Sequence, residues 1–338
     1  LYNKEINMKA IVLQNSGEFL LEDVAIPQPK DSEIQVKIMA SGFNPVDYQM
    51  TDHGAPEKKL MHSPILGREF SGIVTALGEK ATQFKIGDTV FCGSGIMGSN
   101  GTYAEYICIP EAIAMHIPDT ISFEEAAALP SAGLTALQSI NRIQAKVTDS
   151  ILITGAAGGV GNMLVKLLLA KGYKNLIVTA GNENSISSLL TLGIKAEKII
   201  NYKKQDIYEA ALVLNNNKKF PFVIDLVGNE IALVAARLLQ TNGTYADVTN
   251  FSTSDSREAL FSKGATILNI SNYAYGLEKN YTYYQQGLQE LAALLQQKLI
   301  TPPTIEIIGK LETATVLKAH TKLRENKTEG KKLIMQIG

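Results

Sequence analysis

The chain has 338 residues, 45% of them hydrophobic and 19% charged, with a formal net charge of −1. That length exceeds one ordinary hydrophobic core, so two domains are expected, and the charge balance lacks the basic excess of a nucleic-acid binder. Two cysteines, Cys92 and Cys108, exclude a disulfide framework or a cysteine-rich zinc lobe, and no apolar run reaches the roughly 18 residues that span a bilayer.

Met8-Lys9-Ala10 reads as the start, and residues 1–7 as an added leader without the apolar stretch of a signal peptide, so a cytoplasmic protein with reduced thiols is expected. Short strands follow at 8–13, 20–24 and 33–38, the last alternating polar and apolar, and again at 72–77, 89–92 and 103–109. Glycines and the prolines Pro27 and Pro29 separate them, which predicts a barrel-like β domain. Near Ser122 the character changes. Ser122 with Glu125 three residues on is a capping-box helix start. From residue 150 the pattern is strand, turn, helix: strands at 150–154, 175–180, 198–201, 222–227 and 243–248, with helices at 162–171 and 185–192. Such alternation predicts a doubly wound parallel sheet. A helix at 290–297 is stopped by Thr301-Pro302-Pro303. A strand, a helix at 311–324 and a strand at 332–337 then return to complete the first domain.

The segment Ile151-Leu152-Ile153-Thr154 runs into Gly155-Ala156-Ala157-Gly158-Gly159-Val160-Gly161, and a helix follows at once. A glycine-rich turn between strand and helix lets the backbone approach a pyrophosphate, and the helix N-terminus offers N–H groups and a favourable dipole. Gly158, Gly159, Val160 and Gly161 are therefore assigned to a nicotinamide dinucleotide. Ala156 stands where the fingerprint has its first glycine, which a tight turn tolerates if φ stays negative. The second strand ends Val178-Thr179-Ala180-Gly181-Asn182 with no acid at its tip. An acid there would bind the ribose 2′-hydroxyl of NAD. Its absence, and the small polar groups Gly181, Asn182 and Ser185, favour NADPH as the cofactor.

Ser41-Gly42-Phe43-Asn44-Pro45-Val46-Asp47, Pro64-Ile65-Leu66-Gly67-Arg68-Glu69-Phe70-Ser71-Gly72, Ile86-Gly87-Asp88-Thr89-Val90 and Gly133-Leu134-Thr135-Ala136 occur in that order ahead of the turn. With them the chain resembles the medium-chain dehydrogenase/reductase superfamily, in its zinc-free quinone oxidoreductase (zeta-crystallin-like) branch. The resemblance implies an α/β fold, a Rossmann doubly wound parallel sheet plus a GroES-like β-barrel catalytic domain. Residues 8–127 and 300–338 would form the catalytic domain and 128–299 the dinucleotide-binding domain, with the active-site cleft at their junction and a homodimer as the assembly.

Against zinc-dependent members, Asn44 stands where a cysteine ligand would be and Arg68 where a histidine would be. Arginine cannot ligate zinc and an asparagine amide is a poor ligand, so no metal is expected. Of the four histidines, His53, His62, His116 and His320, none shows metal-ligand spacing. The resemblance assigns catalysis to Asn44, which can donate to a developing oxyanion, to Tyr48 and Gln49 on the same loop, and to Thr135 beside the nicotinamide. For Tyr48 a packing role stays open, because related enzymes carry their tyrosine at the position of Gln49. Tyr202, Val227, Asn250, Phe251 and Asn272 are placed at the cofactor on the same ground. Lys332 is a candidate second phosphate contact, with a plain exposed lysine pair, Lys331 and Lys332, as the alternative. The lysine usual on the helix after the second strand falls near Ser185 and is missing.

The expected function is NADPH-dependent, metal-free hydride transfer to a quinone or an α,β-unsaturated carbonyl compound. The alternatives are an enoyl-thioester reductase and a NADPH-binding sensor or structural protein with little turnover. A small electrophile is the expected partner, with no nucleic acid and no membrane. Residues 51–63 and the tyrosine-rich 273–284 are expected to shape its pocket, though core or dimer packing explains the tyrosines equally well.

Overall fold

Strand Ile151–Thr154 is buried along its whole length, because it sits mid-sheet with a parallel neighbour on each side. A strand covered on both faces has no polar alternation to display, which is why this one reads as a continuous apolar run. The computed structural model describes residues 7–52 and 61–338. His53 and most of the expected leader lie outside the described residues. The chain forms two units, one running to Ser131 and resuming at Tyr273, the other spanning Ala132–Asn272.

The second unit is built on a six-stranded sheet in the order Ile199–Asn201, Leu176–Ala180, Ile151–Thr154, Phe220–Asp225, Leu239–Asp247, Thr266–Asn269. Every pairing is parallel. The chain starts mid-sheet, winds to one edge, returns and winds to the other, which is the doubly wound Rossmann order. Leu152, Ile177, Val223 and Tyr245 meet Ala235, Leu238 and Leu260 from the covering helices in one core. The helix expected from residue 162 begins three residues earlier, as Gly159–Ala170, because the glycines themselves form its first turn.

In the first unit, Asn7–Leu13 and Phe19–Ala25 form an antiparallel hairpin. The larger sheet runs Ile305–Gly309, Lys332–Gln336, Glu33–Gly42, Glu69–Leu77, Thr89–Cys92, Ala114–His116, and Tyr106–Pro110 also pairs with Glu33–Gly42. The C-terminal strand lies antiparallel on Glu33–Gly42, with Ile334 opposite Gly42 and Gln336 opposite Ala40. Ile11, Phe43, Tyr103, Leu333 and Met335 share its core. The strand expected from residue 103 begins at Tyr106. Ahead of it, Ala104 forms an isolated bridge to Ala10.

The sequence reading assigned 128–299 to the dinucleotide domain, yet the first unit resumes at Tyr273. The cause is helix Tyr281–Gln296, which buries Tyr284, Leu288, Leu291 and Leu295 and packs on strand Ala114–His116 and the turn Glu111–Ile113. Among the described residues no helix is long and apolar enough to cross a membrane.

Candidate functional site

In the second unit the candidate residues gather where the parallel strands end, the edge at which open α/β sheets hold ligands. Gly155 carries the left-handed conformation of the turn, with φ of 67°. Ala156 next to it is fully buried and free of that demand, which explains why alanine replaces the fingerprint glycine. Gly161 is the restrictive position: a Cβ there would lie 2.4 Å from the Gly155 carbonyl oxygen. Gly158 is the N-cap of helix Gly159–Ala170, and no side chain caps that helix. The first N–H groups of a helix have no acceptor within it, so this terminus suits a pyrophosphate.

One strand over, Tyr202 lies on Gly181 so closely that a Cβ at Gly181 would fall 2.2 Å from the tyrosine hydroxyl. Asn182 caps helix Glu183–Thr191 by accepting from the Ser185 N–H at 2.8 Å, so its Oδ1 is engaged locally. Lys204, distant in sequence, reaches Glu183 at 3.2 Å. A cation from the next connection therefore stands beside the tip of the second strand.

The loop after strand Phe220–Asp225 is organised by Asp225, which sequence reasoning missed. It is 1% exposed. It accepts from the Val227 and Gly228 N–H groups, from Thr154 Oγ1 and, at 2.6 Å, from the Tyr245 hydroxyl. Burial and this carboxylate push the Tyr245 phenol well above its ordinary pKa. Val227 and Phe251 remain exposed at the edge, and Asn250 takes a positive φ while its N–H donates to Asp247. Thr135 and Asn272 come together, the Asn272 amide donating to Thr135 Oγ1 at 2.9 Å.

In the first unit, Asn44 precedes helix Pro45–Gln49 and is locked at both ends. Its Nδ2 donates to Glu69 Oε1 at 2.8 Å and faces Ser131 Oγ at 3.5 Å, while its Oδ1 accepts from Lys332 Nζ at 2.8 Å. Glu69 is fully buried; its Oε1 also receives Lys332 Nζ, and its Oε2 the Ser131 N–H. Lys332 is thus not a phosphate contact. The residue is 6% exposed, and its ammonium is engaged by Glu69, Asn44 and the Phe43 carbonyl. An apolar strand opening with a glutamate, Glu69-Phe70-Ser71-Gly72-Ile73-Val74, was the available signal, because a buried carboxylate requires a cation. Tyr48 carries the Arg324 guanidinium over its ring, 5.0 Å from the centroid, which supports the packing alternative. Gln49 lies half-buried on the same short helix.

Beneath that helix Tyr103 donates to Asp47 Oδ2 at 3.1 Å and faces His320 Nε2 at 3.4 Å. Burial raises Asp47 to about 6, and burial lowers His320 to about 4. Among the described residues no three His, Cys, Asp or Glu side chains group as metal ligands. The donor set does not fit zinc: the oxygens of Asn44 and Glu69 already hold an ammonium, and Arg68 offers no lone pair. The tyrosines of 273–284 sit in helices Asn272–Leu277 and Tyr281–Gln296, where Tyr275 stacks on Tyr283 with centroids 3.7 Å apart.

A GroES-like barrel unit and a Rossmann unit with a dinucleotide turn define an oxidoreductase architecture. Two family profiles match, the alcohol dehydrogenase GroES-like domain over residues 30–119 and the zinc-binding dehydrogenase over residues 159–292. Quinone oxidoreductase of Sus scrofa is 30% identical over 82% of this chain and 80% of its own length, and that of Mus musculus 31% over 66% of each. The aligned stretch thus spans just under two thirds of the mouse relative. The solved quinone oxidoreductase of Pseudomonas syringae pv. tomato DC3000 superposes with a TM-score of 0.83 at 28% identity, covering 97% of this chain and 99% of that one. The chain belongs to the medium-chain dehydrogenase/reductase superfamily, and its relatives include quinone oxidoreductases. Enzymes of this superfamily use nicotinamide cofactors.

Proposed function

We propose that the chain is a NADPH-dependent, metal-free reductase that transfers a hydride to a quinone or an α,β-unsaturated carbonyl compound. The observation that carries this reading is the placement of Lys332, whose buried ammonium is held by Glu69 and Asn44. A divalent ion at these oxygens would have to displace an ammonium already paired there, and the neighbouring Arg68 adds a further positive charge. Reducing a quinone or an enone needs no such ion, only an aligned hydride donor and a hydrogen-bond donor for the oxygen that gains charge.

The glycine turn Gly158 to Gly161 is the pyrophosphate site in this reading, with Val227, Asn250 and Phe251 along the same sheet edge. Gly181, Asn182, Ser185 and Tyr202 form the adenosine end, where Lys204 supports a 2′-phosphate. Thr135 and Asn272, bonded to each other, flank the nicotinamide. When bound, the cofactor supplies the hydride, and solvent supplies the proton that completes the hydroquinone or saturated carbonyl. The Asn44 Nδ2 proton that is only loosely engaged by Ser131 is the donor to the acceptor's oxygen.

The test is NADPH oxidation with ortho-naphthoquinone, phenanthrenequinone and an alkenal, run with NADH in parallel and with and without a chelator. Turnover with NADPH that ignores the chelator is the expected result. Chelator-sensitive alcohol oxidation would overturn the reading. Tight NADPH binding without turnover across the panel would instead make the protein a cofactor-binding sensor.

A further inference from the structure

The opposite end of the same parallel sheet, where the strands begin, carries a second polar site. Lys219 lies just ahead of strand Phe220–Asp225, Arg237 near the end of helix Asn229–Leu238, and Lys263 two residues beyond helix Ser254–Phe261. With Tyr208, Ala259 and Ser262 they line an open pocket of 560 Å³. The three cations come from separate connections, yet the doubly wound topology delivers all of them to one place.

Lys263 is fixed there by the backbone. Its Nζ donates to the Arg237 carbonyl at 3.2 Å and to the Leu239 carbonyl at 2.5 Å, and its own carbonyl accepts from the Asn242 N–H at 2.8 Å. Lys219 lines the same pocket and is the neighbouring charge that acts on it. Burial first, and then Lys219, lowers Lys263 to about 8. Among the described residues none of the three cations forms an ion pair with a carboxylate. Three cations lining one pocket without a paired acid repel one another, and an anion seated among them relieves the repulsion.

We propose that this edge is a binding site for a phosphate-bearing anion, with Lys219, Arg237 and Lys263 as its cationic ligands. Arginine offers a fork that matches phosphate geometry, and the Tyr208 hydroxyl adds a donor at the rim. The pocket exceeds the size of a single phosphate, and Ala259 with the Tyr208 ring gives it an apolar wall. The ligand class is therefore a pyrophosphate or a phosphate ester. The site lies at the far end of the strands from the glycine turn and is independent of the cofactor reading.

The experiment is calorimetric titration of the full chain with inorganic pyrophosphate at low ionic strength. Wild type is compared with Lys219→Gln, Arg237→Gln and Lys219→Arg, each checked for an unchanged unfolding midpoint. Lys219 and Arg237 are exposed, so their replacement leaves the fold intact, whereas Lys263 also ties down backbone carbonyls. Each glutamine variant is expected to weaken binding roughly tenfold or more, and Lys219→Arg to retain it. An absence of heat in the wild type overturns the proposal. So does binding that both glutamine variants leave unchanged, since that anion would sit elsewhere, for instance at the glycine turn.

Discussion

Lys332 and Glu69 form an ion pair inside the first unit, their side chains 7% and 0% exposed. Each opens a strand, Lys332–Gln336 and Glu69–Leu77, and both strands flank Glu33–Gly42. Gly42, on the strand between them, makes room, since a Cβ there would fall 2.7 Å from Glu69 Oε1. Lys332→Met strands the glutamate charge in the core and is expected to lower unfolding stability by about 3–5 kcal/mol. The double variant Lys332→Met, Glu69→Met removes both charges and should recover most of that loss in denaturant unfolding. Equal destabilisation by the single and double variants would contradict the pairing.

Asp47 and His320 act on stability in opposite directions. Asp47 is raised from 3.8 to about 6, so across that window the folded chain keeps a proton that the unfolded chain has released. Stability from this group falls as pH rises through the window. His320 is lowered from 6.5 to about 4, so between those values the unfolded chain holds the extra proton and stability rises with pH. Each full effect is about 3 kcal/mol, and the two largely cancel. Relative to wild type, Asp47→Asn should therefore gain stability as pH goes from 4 to 6, and His320→Phe should lose it over the same interval. Denaturant unfolding at several pH values measures both differences, and parallel curves for the three proteins would refute the assignment.

The Rossmann unit was legible because its signals are local. Apolar strands, the glycine turn and helix starts each lie within a few consecutive residues. The side-chain network of the first unit was not, because its members come from distant parts of the chain. Lys332 is 263 positions from Glu69, and only the closing strand pairing brings them together. Read alone, Lys332 is a lysine beside another lysine at a glycine, equally suited to a phosphate or to solvent. Asp225 is similar: its partners Thr154 and Tyr245 lie on the two neighbouring strands, so its role emerges only from sheet order. No lysine stands at Ser185, and it is the pairing of Ile199–Asn201 with Leu176–Ala180 that brings Lys204, a distant candidate in sequence, to Glu183.

In the proposed function Lys204 bears on cofactor choice. Its ion pair with Glu183 is exposed, with side chains 71% and 80% accessible, and such a pair exchanges readily for a phosphate. Lys204→Ala is expected to raise KM for NADPH roughly fivefold at low salt, with a smaller effect at high salt and none on NADH. Glu183→Gln removes the competing carboxylate and should shift the NADPH to NADH ratio of kcat/KM the other way. Steady-state kinetics with both cofactors decides. If the wild type favours NADPH and Lys204→Ala leaves the ratio unchanged, the 2′-phosphate is held by other groups.

The two glycines that frame the helix start should respond differently to alanine. At Gly158 the φ of −72° suits any residue, and a Cβ would meet only the Gly155 carbonyl oxygen at 3.4 Å. At Gly161 a Cβ would lie 2.4 Å from that oxygen and 2.7 Å from Ala156 backbone atoms, none of which is a flexible side-chain end. Gly158→Ala is expected to unfold within about 0.5 kcal/mol of wild type. Gly161→Ala must push the turn off the helix, with an expected loss of about 1–3 kcal/mol from overpacking. If the pyrophosphate approaches the backbone at this cap, as proposed, Gly158→Ala should weaken NADPH binding while the fold stays intact. Cofactor fluorescence titration read beside thermal unfolding separates these effects. Full NADPH affinity in Gly158→Ala would move the pyrophosphate away from this cap.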